Sequence, residues 1–197
     1  MDWNMIASPR FGEESQGKPT LTRSRVDRRW AMMVAHAAEV RLPAPGEAVH
    51  GVITGMYDLA ALLVAALAQK DAVCTHLRIA TLSYSERNIV RLCQLLDDGK
   101  VGTVSVLCST FFRNHNKTLF STNQADLRKR RSRISAARNH CKVVCLDFAD
   151  GTRYTLEGSA NLRRTSDWEQ FCLCADAQLH DWHAHWIDDL VTKHEAD

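Results

Sequence analysis

From residue 49 onward this 197-residue sequence alternates strand-like and helix-like segments, and no other feature limits its fold as tightly. Residues 49–54 read as a strand, after which Leu59, Leu62, Leu63, Ala66 and Leu67 fall on one helical face. Residues 77–82 form the next strand-like run. Ser83 and Glu86 then stand at capping-box spacing, and Ile89, Leu92, Cys93 and Leu96 recur at helical intervals until Asp98-Gly99 ends the run. A third strand follows over 104–108. Two strand–helix–strand units in succession imply an α/β fold, with parallel strands and helices packed on the sheet.

The second half predicts a helix over 123–138, a strand over 141–148, a turn at Asp150-Gly151 and a returning strand over 154–156. A short strand over 171–174 and a closing helix over 177–191 follow, with Leu179, Trp182, Trp186 and Leu190 on one helical face. No internal repeat is present. Residues 1–45, rich in Ser, Gly, Pro and Arg and ending in Pro43-Ala44-Pro45-Gly46, read as a basic, partly flexible N-terminal arm with a short helix over 28–40. The remaining residues, 46–197, form the expected domain.

At 45% hydrophobic the chain has material for a real core, and a formal charge of +2 does not by itself demand an anionic partner. Seven cysteines is an odd count, and Met1-Asp2-Trp3-Asn4 with Pro9 close behind does not resemble a secretory segment. The expectation is a cytoplasmic protein with free thiols. The longest apolar stretch, 59–68, is far shorter than the ~20 residues of a membrane span.

His140-Cys141-Lys142 stands at the start of the 141–148 strand, where alternation sends His140 and Lys142 to one face and Cys141 to the other. Gly158-Ser159-Ala160-Asn161 places a hydroxyl and a carboxamide at the end of the paired strand, and Glu169 follows. An imidazole, a fixed cation, hydrogen-bond donors and a carboxylate are the parts needed to attack a phosphodiester without a metal. No cofactor or metal is called for.

His140, Lys142 and Asp147 reproduce the pattern H-x-K-x4-D, and Gly158 to Asn161 the G-S-x-N element that follows it. On these residues the chain, over roughly 46–195, resembles the phospholipase D-like superfamily. The resemblance implies an α/β/α sandwich with a mixed, largely parallel central sheet, and a homodimer whose two single motifs share one active site. It implies that His140 attacks phosphorus to form a phosphohistidine, while the dyad-related His140 protonates the leaving oxygen and then activates water. Lys142, Ser159 and Asn161 would hold phosphate oxygens and Glu169 would orient the imidazole, with Glu157 a competing carboxylate. Asp147 would support the motif structurally.

The run Arg128, Lys129, Arg130, Arg131 and Arg133, with Arg138 behind it, is expected beside this site, where it would pair with nucleic-acid phosphates. Arg23, Arg25, Arg28 and Arg29 would extend that surface. His115-Asn116-Lys117 repeats the H-x-K form but has Thr122 where the pattern needs aspartate, and reads as a surface loop. His180, His183 and His185 form no familiar zinc spacing with Cys172 and Cys174. The expected function is a metal-independent phosphodiesterase acting on DNA or RNA. The other readings are a non-catalytic nucleic-acid-binding dimer and a phospholipid phosphodiesterase.

Overall fold

In the computed structural model, which describes residues 21–53, 55, 57–164 and 166–195 with side chains from residue 28 on, the elements are α1 (Leu21–Ala37), β1 (Ala48–Ile53), α2 (Leu59–Ala68), β2 (Cys74–Ala80), α3 (Glu86–Asp97), β3 (Val101–Ser109), α4 (Thr110–His115), α5 (Lys117–Arg128), β4 (Arg133–Ala137), β5 (Val143–Phe148), β6 (Arg153–Gly158), β7 (Glu169–Cys174) and α6 (Ala177–Lys193). The strands form one sheet in the order β1-β7-β6-β5-β2-β3-β4. Parallel ladders join β2 to β3, as the alternating pattern predicts, and β3 to β4, a strand it does not; β1, expected to open the first parallel unit, pairs antiparallel with β7 at the far edge instead. Every other ladder is antiparallel. The sheet is therefore mixed but not largely parallel as expected: β5, β6 and β7 follow one another as antiparallel neighbours, and β5 and β7 meet β2 and β1 antiparallel as well.

The larger core lies between the sheet and the helices of the first two thirds of the chain, and a smaller one lies under α6 on the other face. Strand alternation divides them: Val144 and Leu146 of β5 join the first core, Val143 and Cys145 the second. On α2, apolar residues are buried on all sides and not only along the expected stripe, because α1 covers its outer surface and adds Met33 and Ala37 to the core. Part of the expected arm thus packs on the domain; residues 1–20 and the side chains of Arg23 and Arg25 lie outside the described residues. Among the described residues no helix is long and apolar enough to cross a membrane.

Three local expectations are corrected. The cap of α3 is Ser85, whose side chain accepts from the Asn88 amide, rather than Ser83, which is buried. The helix expected over 123–138 is instead the end of α5, a turn and β4. Arg131 breaks the helix at φ 55°, and the Ser132 hydroxyl accepts from the Val104 amide at 3.0 Å, drawing the chain alongside β3. Finally, α6 buries His180, His183, Ala184, Ile187 and Val191, while Trp182 is exposed.

Candidate active site

The C-terminal ends of β2, β3, β4 and β6 and the starts of β5 and β7 meet at one end of the sheet, and His140, Lys142, Ser159, Asn161 and Glu169 all lie in or beside those segments. His140 and Lys142 sit in the link between β4 and β5 rather than in a strand. Asn139 holds that link. Its buried carboxamide donates to Thr81 O and Leu107 O, both at 3.1 Å, and accepts from the Cys141 amide at 2.8 Å. Sequence reasoning missed this residue; its one signal was an amide side chain placed directly before His140.

His140 is exposed, with Lys142 Nζ donating to its carbonyl at 2.8 Å and standing 3.0 Å from its Nδ1. An ammonium only donates, so Nδ1 is the acceptor. Gly158 donates its amide to Lys142 O at 3.1 Å, which continues the β5–β6 pairing to the edge of the site. A Cβ at Gly158 would lie 2.4 Å from Gln170 O, which explains why glycine leads this element.

The Ser159 hydroxyl donates to Glu169 Oε2 and accepts from the Gln170 amide at 3.1 Å. Glu169 therefore reaches Ser159 and not His140. Asn161 Oδ1 accepts from the Leu82 amide at 3.1 Å, which leaves its Nδ2 without a hydrogen bond among the described residues. Glu157, the competing carboxylate, points to the α6 face, where it accepts from His183 Nε2 at 3.1 Å. Trp186 Nε1 donates to His183 Nδ1 at 3.1 Å, so the imidazole proton sits on Nε2.

Asp147 lies near the far end of β5, under α6. It pairs with Arg78, stands 3.4 Å from His180 Nε2 and 3.7 Å from Arg153, while Arg78 also donates to Asp188 at 2.7 Å. Burial works to raise the Asp147 carboxyl, but His180 and Arg78 outweigh it and hold it below the usual carboxylate range. Cys145 is buried on the same side, and burial pushes its thiol up to about 12. Cys141, which alternation sends to the face opposite His140, is exposed, because the link before β5 is not a strand.

The basic run is not beside His140. Residues 128–132 lie before β4, Arg133 opens it and His140 follows it, so the length of the strand, about 15 Å, separates the run from His140. The run is also engaged elsewhere: Arg130 grips Asp97 at 2.7 and 2.8 Å, Lys129 pairs with Asp126, and Arg133 with Glu195. Exposed Arg138 is the one member of the set at the His140 end of β4. His115 closes α4 against Phe111 and Lys117 opens α5, so the second H-x-K spans a helix junction.

Two imidazoles give this architecture an acid-sensitive step. Burial pushes His183 below its ordinary value against the pull of Glu157, and burial with Arg78 does the same to His76, whose Nε2 lies 2.9 Å from Ser105 Oγ. The unfolded chain takes up protons at these positions near pH ~6.5 while the native state does not, so stability falls as pH drops from about 7 to about 5. Asp147 adds a second loss only below about pH 4. Urea midpoints measured from pH 8 to pH 5 should decline; a flat profile would show that neither imidazole is held neutral by the fold.

No family model matches the chain, and neither does any curated protein. Solved structures do. Nuc, a phospholipase D family member from Salmonella typhimurium, is similar at TM-score 0.54 and 14% identity over 75% of this chain and 95% of its own. NucT from Helicobacter pylori gives TM-score 0.54 and 14% identity over 76% of this chain and 99% of its own. Phosphatidylserine synthase from Haemophilus influenzae gives 0.50 and 16% over 75% of this chain and 38% of its own.

Proposed function

Because this chain has the phospholipase D-like fold, we propose that it is a phosphodiesterase that cleaves nucleic acid through a covalent phosphohistidine, in a homodimer whose subunits each supply one His140. The observation that carries this reading is the exposed imidazole of His140 with the Lys142 ammonium 3.0 Å from it, at a sheet end where the Asn161 carboxamide adds a donor. When a phosphate oxygen takes over the Lys142 hydrogen bond, the imidazole is released to attack phosphorus. The P–N bond forms as the P–O bond to the leaving group breaks, and the partner's imidazole protonates that oxygen. The same imidazole then takes a proton from water, whose oxygen displaces His140 and restores it.

In this scheme Lys142 and Asn161 hold the equatorial oxygens, while Ser159, expected to join them, has its one hydroxyl proton on Glu169 and fixes that carboxylate instead. Phe111 and Trp168, 66% and 78% exposed, flank the same end of the sheet and are the apolar surface we assign to the subunit contact. Lysine and carboxamide here supply the charge stabilisation that a divalent ion supplies in two-metal nucleases. Hydrolysis of bis(p-nitrophenyl) phosphate should therefore persist in excess EDTA and coelute with a species of twice the chain mass. Activity lost on chelation and restored by a divalent ion, or carried by the monomer, would sink the scheme.

A further inference from the structure

A cavity of about 750 Å³ lies next to the candidate site and has Arg29, Trp30, Asp58, Arg87, Arg163 and Arg164 among its walls. It is built on the segment that carries Asn161. Leu162 bridges to Tyr84, and its carbonyl accepts from the Ser85 amide at 3.0 Å and from Asn88 Nδ2 at 3.2 Å, which stitches the Asn161 segment to the start of α3. Arg87 in the first turn of α3 and Arg163-Arg164 therefore share one rim. Helix α1 closes the opposite wall, and the Arg91 guanidinium stacks 4.6 Å from the Trp30 ring centroid, fixing α1, and Arg29 with it, against α3.

The charge here differs from that of the 128–133 run. Arg29, Arg87, Arg163 and Arg164 are exposed and make no ion pair among the described residues, whereas Arg130, Lys129 and Arg133 each hold a carboxylate. Of the two carboxylates lining the cavity, Asp58 is buried and accepts from the Ala61 amide at 2.9 Å; Glu86 alone is exposed. Four cations around a concave, low-dielectric wall focus a positive potential that a ligand with several regularly spaced negative charges would satisfy. A flat bilayer does not enter a concavity of this kind, and a single phosphate would meet few of the four.

We propose that this cavity is the track for the phosphate backbone of a polynucleotide, leading to the scissile bond from the Asn161 side, with Arg29, Arg87, Arg163 and Arg164 as its cations. Its orientation rests on the phosphodiesterase reading above; binding itself is measurable without turnover. The test compares the full chain with a variant carrying Arg87→Gln, Arg163→Gln and Arg164→Gln, and with a second variant of equal charge change carrying Arg128→Gln, Lys129→Gln and Arg131→Gln. Anisotropy of a fluorescein-labelled thymidine oligonucleotide is followed across salt concentrations. Losing three phosphate contacts should weaken binding at least about tenfold and lower the log–log salt slope by about 2, at ~0.7 per contact on a single strand. The second variant should stay within about twofold of the parent.

Equal affinity and slope in the cavity variant and the parent would overturn the proposal, as would equal weakening in both triple variants, which net charge alone explains. Binding of the parent to phosphatidylglycerol-containing vesicles but not to the oligonucleotide would overturn it in favour of a lipid surface. Thermal unfolding checks that the triple variant folds, and the single change Arg164→Glu reads the same effect if it does not. A parent that binds the oligonucleotide through these arginines yet hydrolyses no diester would sink the catalytic reading and leave the track standing.

Discussion

His140→Ala lowers diester turnover by several orders of magnitude while the protein remains folded and assembled. In the proposed scheme one residue serves as nucleophile in one subunit and as acid and base in the other, so the loss should exceed the ~10²–10⁴-fold typical of removing an acid–base group alone. The fold should be indifferent. His140 is exposed, and among the described residues its imidazole meets Lys142 alone, while the link that carries it is held by Asn139. Single-turnover assays with acid quench should trap a phosphate-labelled, acid-labile adduct in the wild type and none in the variant. Near-normal hydrolysis by a preparation shown free of contaminating nuclease would remove His140 from the chemistry.

Asp147→Ala should produce the largest loss of stability. Its carboxylate joins Arg78 of β2 to the α6 face, and its removal leaves the guanidinium, among the described residues, with Asp188 alone and strips the buried Nε2 of His180 of its partner, while His180 Nδ1 keeps Asp181. Breaking a largely buried ion pair costs about 3 kcal/mol, which in a chain of this size lowers the melting temperature by roughly 10 °C. The urea midpoint should fall at unchanged slope, and Asp147→Asn should recover part of the loss by keeping a hydrogen-bond acceptor. A variant as stable as the parent but unable to hydrolyse diester would instead place Asp147 in the reaction itself.

The sequence made the order of elements as far as β3 legible because α3 has strong helical periodicity and a clear stop at Asp98-Gly99. It failed at β4. Arg128 to Arg131 are good helix formers, and Ile134 to Ala137 are buried without a break, so no period-2 alternation marks a strand. Only a tertiary event, the pairing of Ser132 and β4 with β3, decides the conformation there. The misplaced basic run follows from that error, since a continuous helix would have carried those cations toward His140.

The misread face of α6 has another cause. A hydrophobic stripe puts Trp182 inward, yet the strands beneath present Asp147 and Glu157, and polar side chains on a sheet face draw His180 and His183 toward them. In the site, the spacing of His140, Lys142 and Asn161 was readable because each lies a few residues from a strand end. The partner of Glu169 was not, because a carboxylate beside Ser159 differs from one beside His140 only in three dimensions.

The pairing of β1 with β7 also sets an order of events for the growing chain. Among the described residues Gly51 has its strand partner in Phe171, whose ring occupies the space above it, so β1 waits for β7 before it joins the sheet. Such distant pairing is slow to form, because a long loop must close before any contact rewards it. Until it closes, an intermediate built on β2, β3, β4, β5 and β6 exposes β6 as an edge, the strand that ends at Gly158. Translation that halts before residue 169 therefore leaves a polypeptide with an open sheet edge beside Gly158 and without Glu169, the partner of Ser159, a species for chaperones to hold.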